Sequence, residues 1–146
     1  MATRSAHTAW TGGLMDGTGR VELTSSGAGA FDVSFPKRTA DSADGTTSPE
    51  ELVAAAHASC YAMQLSGVIG RGGGTPRSLD VTADVSLDKD PAGGLMVTGI
   101  ALTVRGEVEG LDEAGFLEAA ENAKTTCPIS KALAAVDITL DAAVKS

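Results

Sequence analysis

The chain is short of cysteine, of aromatic side chains and of positive charge. Two cysteines in 146 residues exclude a scaffold stapled by disulfides. The aromatics are Trp10, Phe31, Phe35, Tyr61 and Phe116, so the core has to be built mainly from Ala, Val, Leu and Ile. Lys and Arg number 11 against 19 Asp and Glu, a formal charge of −8. That balance, with no basic stretch interleaved with aromatics, argues against nucleic acid and against a membrane surface as partners. The opening MATRSAHTAWTGG lacks the apolar run of a signal peptide. Two free thiols in such a chain suit a reducing, cytoplasmic setting, where a disulfide is usually transient and functional. The glycines at 72–74 lack the preceding strand and following helix of a phosphate loop and read as a turn.

What is present is ordered. HTAWTGG, GRVELTS and AFDVSF read as short antiparallel strands parted by glycine turns. Pro36 to Thr47 is polar and is expected to be loop. A long helix is expected from SPEE to about Gly70, where RGGGTP stops it. Ser48 serves as N-cap, Pro49 as first helical residue, and Glu51 sits where a capping box wants it. From Leu52 to Gly70 no residue is formally charged. Alanine dominates this stretch and contributes little transfer energy, so membrane insertion is not expected. A helix apolar on most sides has to be buried on most sides. A chain of this length cannot surround it alone, which points to a second subunit.

After the helix, SLDVTADVSLDKD alternates, with Leu79, Val81, Ala83, Val85 and Leu87 on one face. GLMVTGIALTVRGEVEG pairs with it across DPAGG. LDEAGFLEAAENAKT is a helix, Pro128 to Ala135 a short second one, and VDITLDAAV a closing strand. No linker interrupts the pattern. The expectation is one α+β domain over residues 1–146.

The chemistry lies with the two cysteines. Cys60 falls inside the apolar helix with His57 one turn before it. Cys127 precedes Pro128 and so takes the N-cap position of the short helix. A buried cysteine is more often a small hydrophobe than a nucleophile, but two well-placed thiols suggest a redox pair that folding brings together. The helix N-terminus makes Cys127 the more acidic of the two on this argument. Arg38, in the polar loop, is a permanent cation able to hold a thiolate and position a polar substrate. Glu51 suits capping, which leaves Glu50 free to orient an arginine. Glu50 and Cys60 are ten residues apart, a rise of about 15 Å along an unbroken helix and an offset of about 80° around it. Arg38 and Glu50 therefore meet Cys60 across a dimer interface, or the helix starts late. His57 reads first as a hydrogen-bonded core histidine. A metal site from His7, His57, Cys60 and Cys127 lacks CxxC, HxxxH and an acidic cluster, so no metal is expected.

TTSPEELVAAAHASCYAMQLS, VTADVSLDKD, AKTTCPISKAL and the terminal ITLDAAVKS together resemble the OsmC/Ohr family of thiol-dependent hydroperoxide reductases, closest to its OsmC branch. The resemblance implies an intertwined OsmC-like homodimer whose antiparallel sheets wrap around central helices. It implies Cys60 as the peroxidatic and Cys127 as the resolving cysteine, which reverses the acidity order argued above. It matches Glu50 and Arg38 to the family's glutamate and arginine. It further implies a two-cysteine peroxidase that reduces organic hydroperoxides to alcohols through a Cys60 sulfenic acid and a Cys60–Cys127 disulfide. A dithiol such as a lipoylated protein would be the reductant, and no cofactor is needed. An apolar pocket beside Cys60, lined by alanine and leucine, would favour alkyl peroxides. The alternative on the same scaffold is a non-catalytic redox-sensing or apolar-ligand-binding protein.

Overall fold

A computed structural model describes residues 1–145. The chain divides into two compact units, Met1–Leu52 and a second that begins at Val53.

The first unit is a three-stranded antiparallel meander of β1 (His7–Thr11), β2 (Thr18–Glu22) and β3 (Ala30–Val33), paired in that order. All five residues of β1 are exposed, and Val21 on β2 is among the few buried side chains of this unit. The segment expected to be loop begins instead with one turn of helix, α1 (Phe35–Arg38). Ser34 caps it by accepting from the Lys37 N–H at 3.3 Å. Pro36 fits the first turn, where no intrahelical N–H is required. The remainder, from Thr39 to Thr46, is irregular.

Helix α2 (Pro49–Arg71) is unbroken over its 23 residues, so the possibility of a late start is overturned. Ser48 accepts from the Glu51 N–H at 3.1 Å, one half of a capping box. The Glu51 carboxylate takes the Thr47 hydroxyl at 2.7 Å instead of completing the other half. At its far end Gly73, with φ of +86°, adopts the left-handed turn that glycine favours. The Gly74 N–H then reaches the Ile69 carbonyl at 3.0 Å and the Gly73 N–H that of Gly70 at 3.1 Å, a complete Schellman closure. The helix has the length and mean hydropathy of a membrane span, but it is not uniformly buried. His57, Tyr61, Leu65 and Ile69, spaced by four, form its one buried stripe, while Met63 is 71% exposed.

The second unit carries the core. β4 (Thr75–Lys89) and β5 (Leu95–Glu109) form a long hairpin, turned at Gly93 and Gly94, both with positive φ. The alternation expected on β4 is observed: Leu79, Val81, Ala83, Val85 and Leu87 are the shielded positions and the residues between them are exposed. Helix α3 (Glu113–Thr126) is capped by Asp112, which accepts from the Gly115 N–H. Helix α4 (Pro128–Ala132) follows, three residues shorter than expected, and then β6 (Ile138–Val144). β6 runs parallel to β5, which corrects the expectation of purely antiparallel sheets. The α3–α4 crossover is long enough to return the chain to the same end of the sheet, as a parallel pairing requires. Tyr61, Leu65 and Ile69 of α2, Leu102 and Val104 of β5, and Phe116, Ala120 and Ala123 of α3 interlock with Cys127 in one cluster. Burying each large aliphatic or aromatic side chain contributes about 1.5–3 kcal/mol.

Candidate active site

Cys60 and Cys127, 67 positions apart in sequence, stand with their sulfurs 3.3 Å from each other. Both are free thiols. Cys127 terminates α3, its N–H bonded to the Ala123 carbonyl at 2.9 Å. Its own backbone is extended, at φ −59° and ψ 125°, because the following Pro128 disfavours a helical conformation there. That kink ends one helix and starts the next, and it turns the Cys127 side chain onto α2. Cys127 is wholly buried, whereas Cys60 is partly exposed.

The pair shares its protons unequally. Burial pushes the Cys60 thiol up, and the neighbouring Cys127 adds to this, against a lowering contribution from the Ile129 N–H. Burial also raises Cys127, but the donors that a charged sulfur would draw on, the Ser130 N–H, Cys60, the Ser130 hydroxyl and the Ile129 N–H, outweigh it, so its pKa falls below the ordinary thiol value. The geometry of the contact allows Cys127 to donate to Cys60. The surrounding donors favour the reverse, and we assign the first ionisation of the reduced pair to Cys127. The neutral thiol makes no capping bond to α4, as expected of a weak acceptor; the amides count once the sulfur is charged.

In the first unit, Arg38 and Glu50 form a two-point ion pair. Arg38 Nε lies 3.0 Å from Oε2 and Nη2 lies 2.5 Å from Oε1 of Glu50. Their side chains are 28% and 12% exposed, so the pair is shielded from water. The hydrogen bond from Arg38 holds the Glu50 carboxyl below its usual range, and Glu50 raises the guanidinium in turn. The partner of Arg38 is thus Glu50, and the Glu51 carboxylate is taken up by the Thr47 hydroxyl. Arg38 also lines an apolar cavity of about 440 Å³ with Trp10, Leu14, Val33, Phe35 and Leu52. This lining is aromatic and aliphatic and comes from the first unit, unlike the alanine and leucine lining expected beside Cys60.

His57, expected in the core, is fully buried. Its Nε2 lies 2.8 Å from the Ser130 hydroxyl, and burial lowers its pKa. Two further neighbours are not singled out by the sequence pattern: Ser130, one turn after Cys127, and Gln64, whose amide donates to the Thr126 hydroxyl at 2.8 Å. The spacing of Ser130 from Cys127, three residues across a helix start, was the available signal. Among the described residues no cluster of three or more His, Cys, Asp or Glu is arranged to hold a metal ion.

A dithiol with one sulfur sealed and one partly exposed, beside the start of a short helix on an α+β frame with a long apolar helix, defines a thiol-redox class of protein. The family model described as OsmC-like protein matches residues 41–141. Peroxiredoxin OsmC of Escherichia coli (strain K12) is 42% identical over 137 residues, which is 94% of this chain and 93% of that protein. Organic hydroperoxide resistance protein OhrA of Bacillus subtilis (strain 168) is 34% identical over 115 residues, 77% of this chain and 79% of that one. The crystal structure of an organic hydroperoxide resistance protein from Elizabethkingia anophelis superposes with a TM-score of 0.80 at 25% identity, covering 99% of this chain and 98% of its own. The chain belongs to the OsmC-like family, as its motifs implied.

Proposed function

We propose that the protein is a thiol-dependent peroxidase that reduces organic hydroperoxides. The observation that carries this is the 3.3 Å approach of Cys60 to Cys127, which leaves a nucleophile and a resolving thiol within reach of bond formation. The relatives named as peroxiredoxin and as hydroperoxide resistance proteins support the same reading. The Cys60 thiolate attacks the distal oxygen of the hydroperoxide. The O–O bond breaks, the alkoxide leaves and is protonated to the alcohol, and Cys60 becomes a sulfenic acid. Cys127 then displaces the hydroxyl as water, forming a disulfide. An external dithiol attacks the accessible Cys60 sulfur, expels the Cys127 thiolate and restores both thiols. Cys60 and Cys127 are the catalytic residues of this scheme.

In the isolated chain Cys60 is the less acidic thiol, so a cation has to be supplied to it. We assign that role to Arg38, oriented by Glu50, in an assembly of two copies of this chain. The exposed β1 strand and the unburied face of α2 leave apolar surface for such a partner. The apolar cavity beside Arg38 has the size and character of a small-molecule site and suits an alkyl or aromatic peroxide. A cytoplasmic location fits two free thiols.

Intact mass after one equivalent of cumene hydroperoxide tests the scheme. Wild-type protein should lose two hydrogens, Cys127→Ser should gain one oxygen, and Cys60→Ser should not change. Unaltered peroxide consumption by Cys60→Ser would remove the proposal. The cavity also suits the second reading, a sensor or apolar-ligand binder. That reading predicts disulfide formation without sustained turnover when dithiothreitol or a lipoylated protein is supplied.

A further inference from the structure

Two side chains of α2 flank Cys60 on one face of the helix, and each is bonded to the α3–α4 junction. His57, three positions before Cys60, is fully enclosed, and its Nε2 lies 2.8 Å from the Ser130 hydroxyl. Its other nitrogen, Nδ1, is buried and has no hydrogen-bond partner. A proton on Nδ1 would leave a buried donor unpaired, which costs more than a bare lone pair there. The proton therefore sits on Nε2 and is donated to Ser130. Gln64, four positions after Cys60, donates from its amide nitrogen to the Thr126 hydroxyl at 2.8 Å. Thr126 gives its own proton to the Asn122 carbonyl at 2.7 Å, so towards Gln64 it is left to accept. Both bonds thus run from a donor on α2 to a hydroxyl beside Cys127, Thr126 standing one residue before it and Ser130 three after. His57 and Gln64 are separated by about two helical turns, roughly 10 Å along the axis, with Cys60 between them.

The junction is where this part of the chain can turn. The α3 ladder ends with the Cys127 N–H on the Ala123 carbonyl, and that of α4 begins with the Lys131 N–H on the Cys127 carbonyl at 3.0 Å. Between them Cys127 is extended, so no helix continues through it to fix the direction of its side chain. One bond from α2 would let the segment pivot. Two bonds, one on each side of the sulfurs, fix its angle as well as its distance. A leucine at position 57 would fill the core without an unpaired buried nitrogen, so what the imidazole contributes is the bond to Ser130. We infer that His57 and Gln64 are positioning residues that, through Ser130 and Thr126, clamp the α3–α4 junction on both sides of the dithiol and keep the Cys127 sulfur aimed at Cys60 across the observed 3.3 Å. The clamps raise the effective concentration of one sulfur at the other, and a misplacement of about 1 Å is enough to lose much of that. The inference rests on the peroxidase reading for the step it serves. There the Cys127 thiolate attacks the sulfur of the Cys60 sulfenic acid. The S–S bond forms, the S–O bond breaks, and the departing hydroxide takes a proton to become water.

The test reads the pairing of the sulfurs without any peroxide. Protein is equilibrated at fixed pH with reduced and oxidised dithiothreitol in varied ratio. The two thiols pass two electrons and two protons to the oxidised reagent, whose S–S bond breaks as the Cys60–Cys127 bond forms. Intact mass after acid quenching gives the fraction of disulfide. His57→Leu and Thr126→Val should each shift the equilibrium about tenfold toward the dithiol, about 30 mV for a two-electron couple. His57→Gln, whose amide nitrogen can stand in for Nε2, and Thr126→Ser, which keeps the hydroxyl, should remain near the native value. Ile69→Val removes a methylene from the same core further along α2, so it should lower stability and leave the equilibrium in place. An unmoved equilibrium in either His57→Leu or Thr126→Val, an equal shift in Ile69→Val, or conservative variants no better than the disruptive ones overturns the inference. Should His57→Leu not fold, Thr126→Val against Thr126→Ser carries the same decision at the half-buried clamp. Native protein that forms the disulfide in this buffer but consumes no cumene hydroperoxide would instead overturn the peroxidase reading and leave the clamps standing.

Discussion

Arg38 holds Glu50 through two nitrogens, and both side chains are largely withdrawn from water. A planar guanidinium fixed in this way cannot swing, so whatever lies on its open side meets a cation of fixed direction. Arg38→Lys keeps the charge but loses the fork. We expect Cys60 oxidation by cumene hydroperoxide to slow by about tenfold or more, since charged hydrogen bonds are worth about 1.5–3 kcal/mol. Glu50→Gln should act in the same direction by freeing the arginine. Stopped-flow measurement of the second-order rate checks both. The pair also has a pH signature. The Glu50 carboxyl is held low by Arg38, so its contribution to stability is present above the ordinary glutamate range. It is lost as pH falls through the depressed value.

Exposure and acidity are divided between the two sulfurs, and alkylation should show the division. Cys60 is reachable but its thiol is raised; Cys127 has the lowered thiol but is sealed. Native protein treated with iodoacetamide should be modified at Cys60 first, with Cys127 unmodified until denaturant is added. Peptide mass mapping over time checks this. Rapid labelling of Cys127 in native protein would mean that the α3–α4 junction opens readily.

Much of this arrangement could be read in the sequence because short-range chemistry dictates it. Ser48-Pro49 and the glycines from Gly72 bound α2, and the alternation from Leu79 to Leu87 sets the buried face of β4. The Cys127-Pro128 junction fixes a helix start by sterics alone. The turn of helix at Phe35–Arg38 was hidden because it depends on one capping hydroxyl, Ser34, within a polar stretch. The parallel direction of β6 was hidden for a different reason: strand direction is set by where the α3–α4 crossover ends, and periodicity is blind to that. Ser130 escaped notice because its partner His57 is 73 positions away, and no local pattern reports such a pairing.

His57 should make the protein sensitive to mild acid. Burial lowers its folded pKa, so the unfolded chain takes up a proton near the ordinary value of about 6.5 that the folded chain refuses. The unfolded state then binds more protons, and stability falls as pH drops through that value toward the depressed one. His57→Gln should flatten the dependence between about pH 7 and 5.5, above the range in which the paired carboxylates titrate. Denaturant midpoints across that interval check the difference; equal slopes for both proteins would show that His57 is hydrated in the folded state.

Gly106 tests how tightly the platform beneath the dithiol is packed. A Cβ built there would lie 2.5 Å from Cε2 and 2.7 Å from Cζ of Phe116, and 3.1 Å from Cδ2 of Leu79. Phe116 is fully buried in the cluster that contains Cys127, so its ring has no free volume into which to retreat. Gly106→Ala should cost about 1–3 kcal/mol by overpacking, although alanine carries no backbone penalty in a strand. Phe116→Leu in the same chain relieves the clash and should recover part of that loss; alone it should destabilise by leaving a void. Because α3 carries both Phe116 and the approach to Cys127, strain at Gly106 should also widen the gap between the sulfurs. The double variant should therefore regain disulfide formation together with stability, measured by thermal unfolding and by the rate at which free thiols disappear after oxidation. Recovery of stability without recovery of that rate would show that α3 moves independently of its last turn.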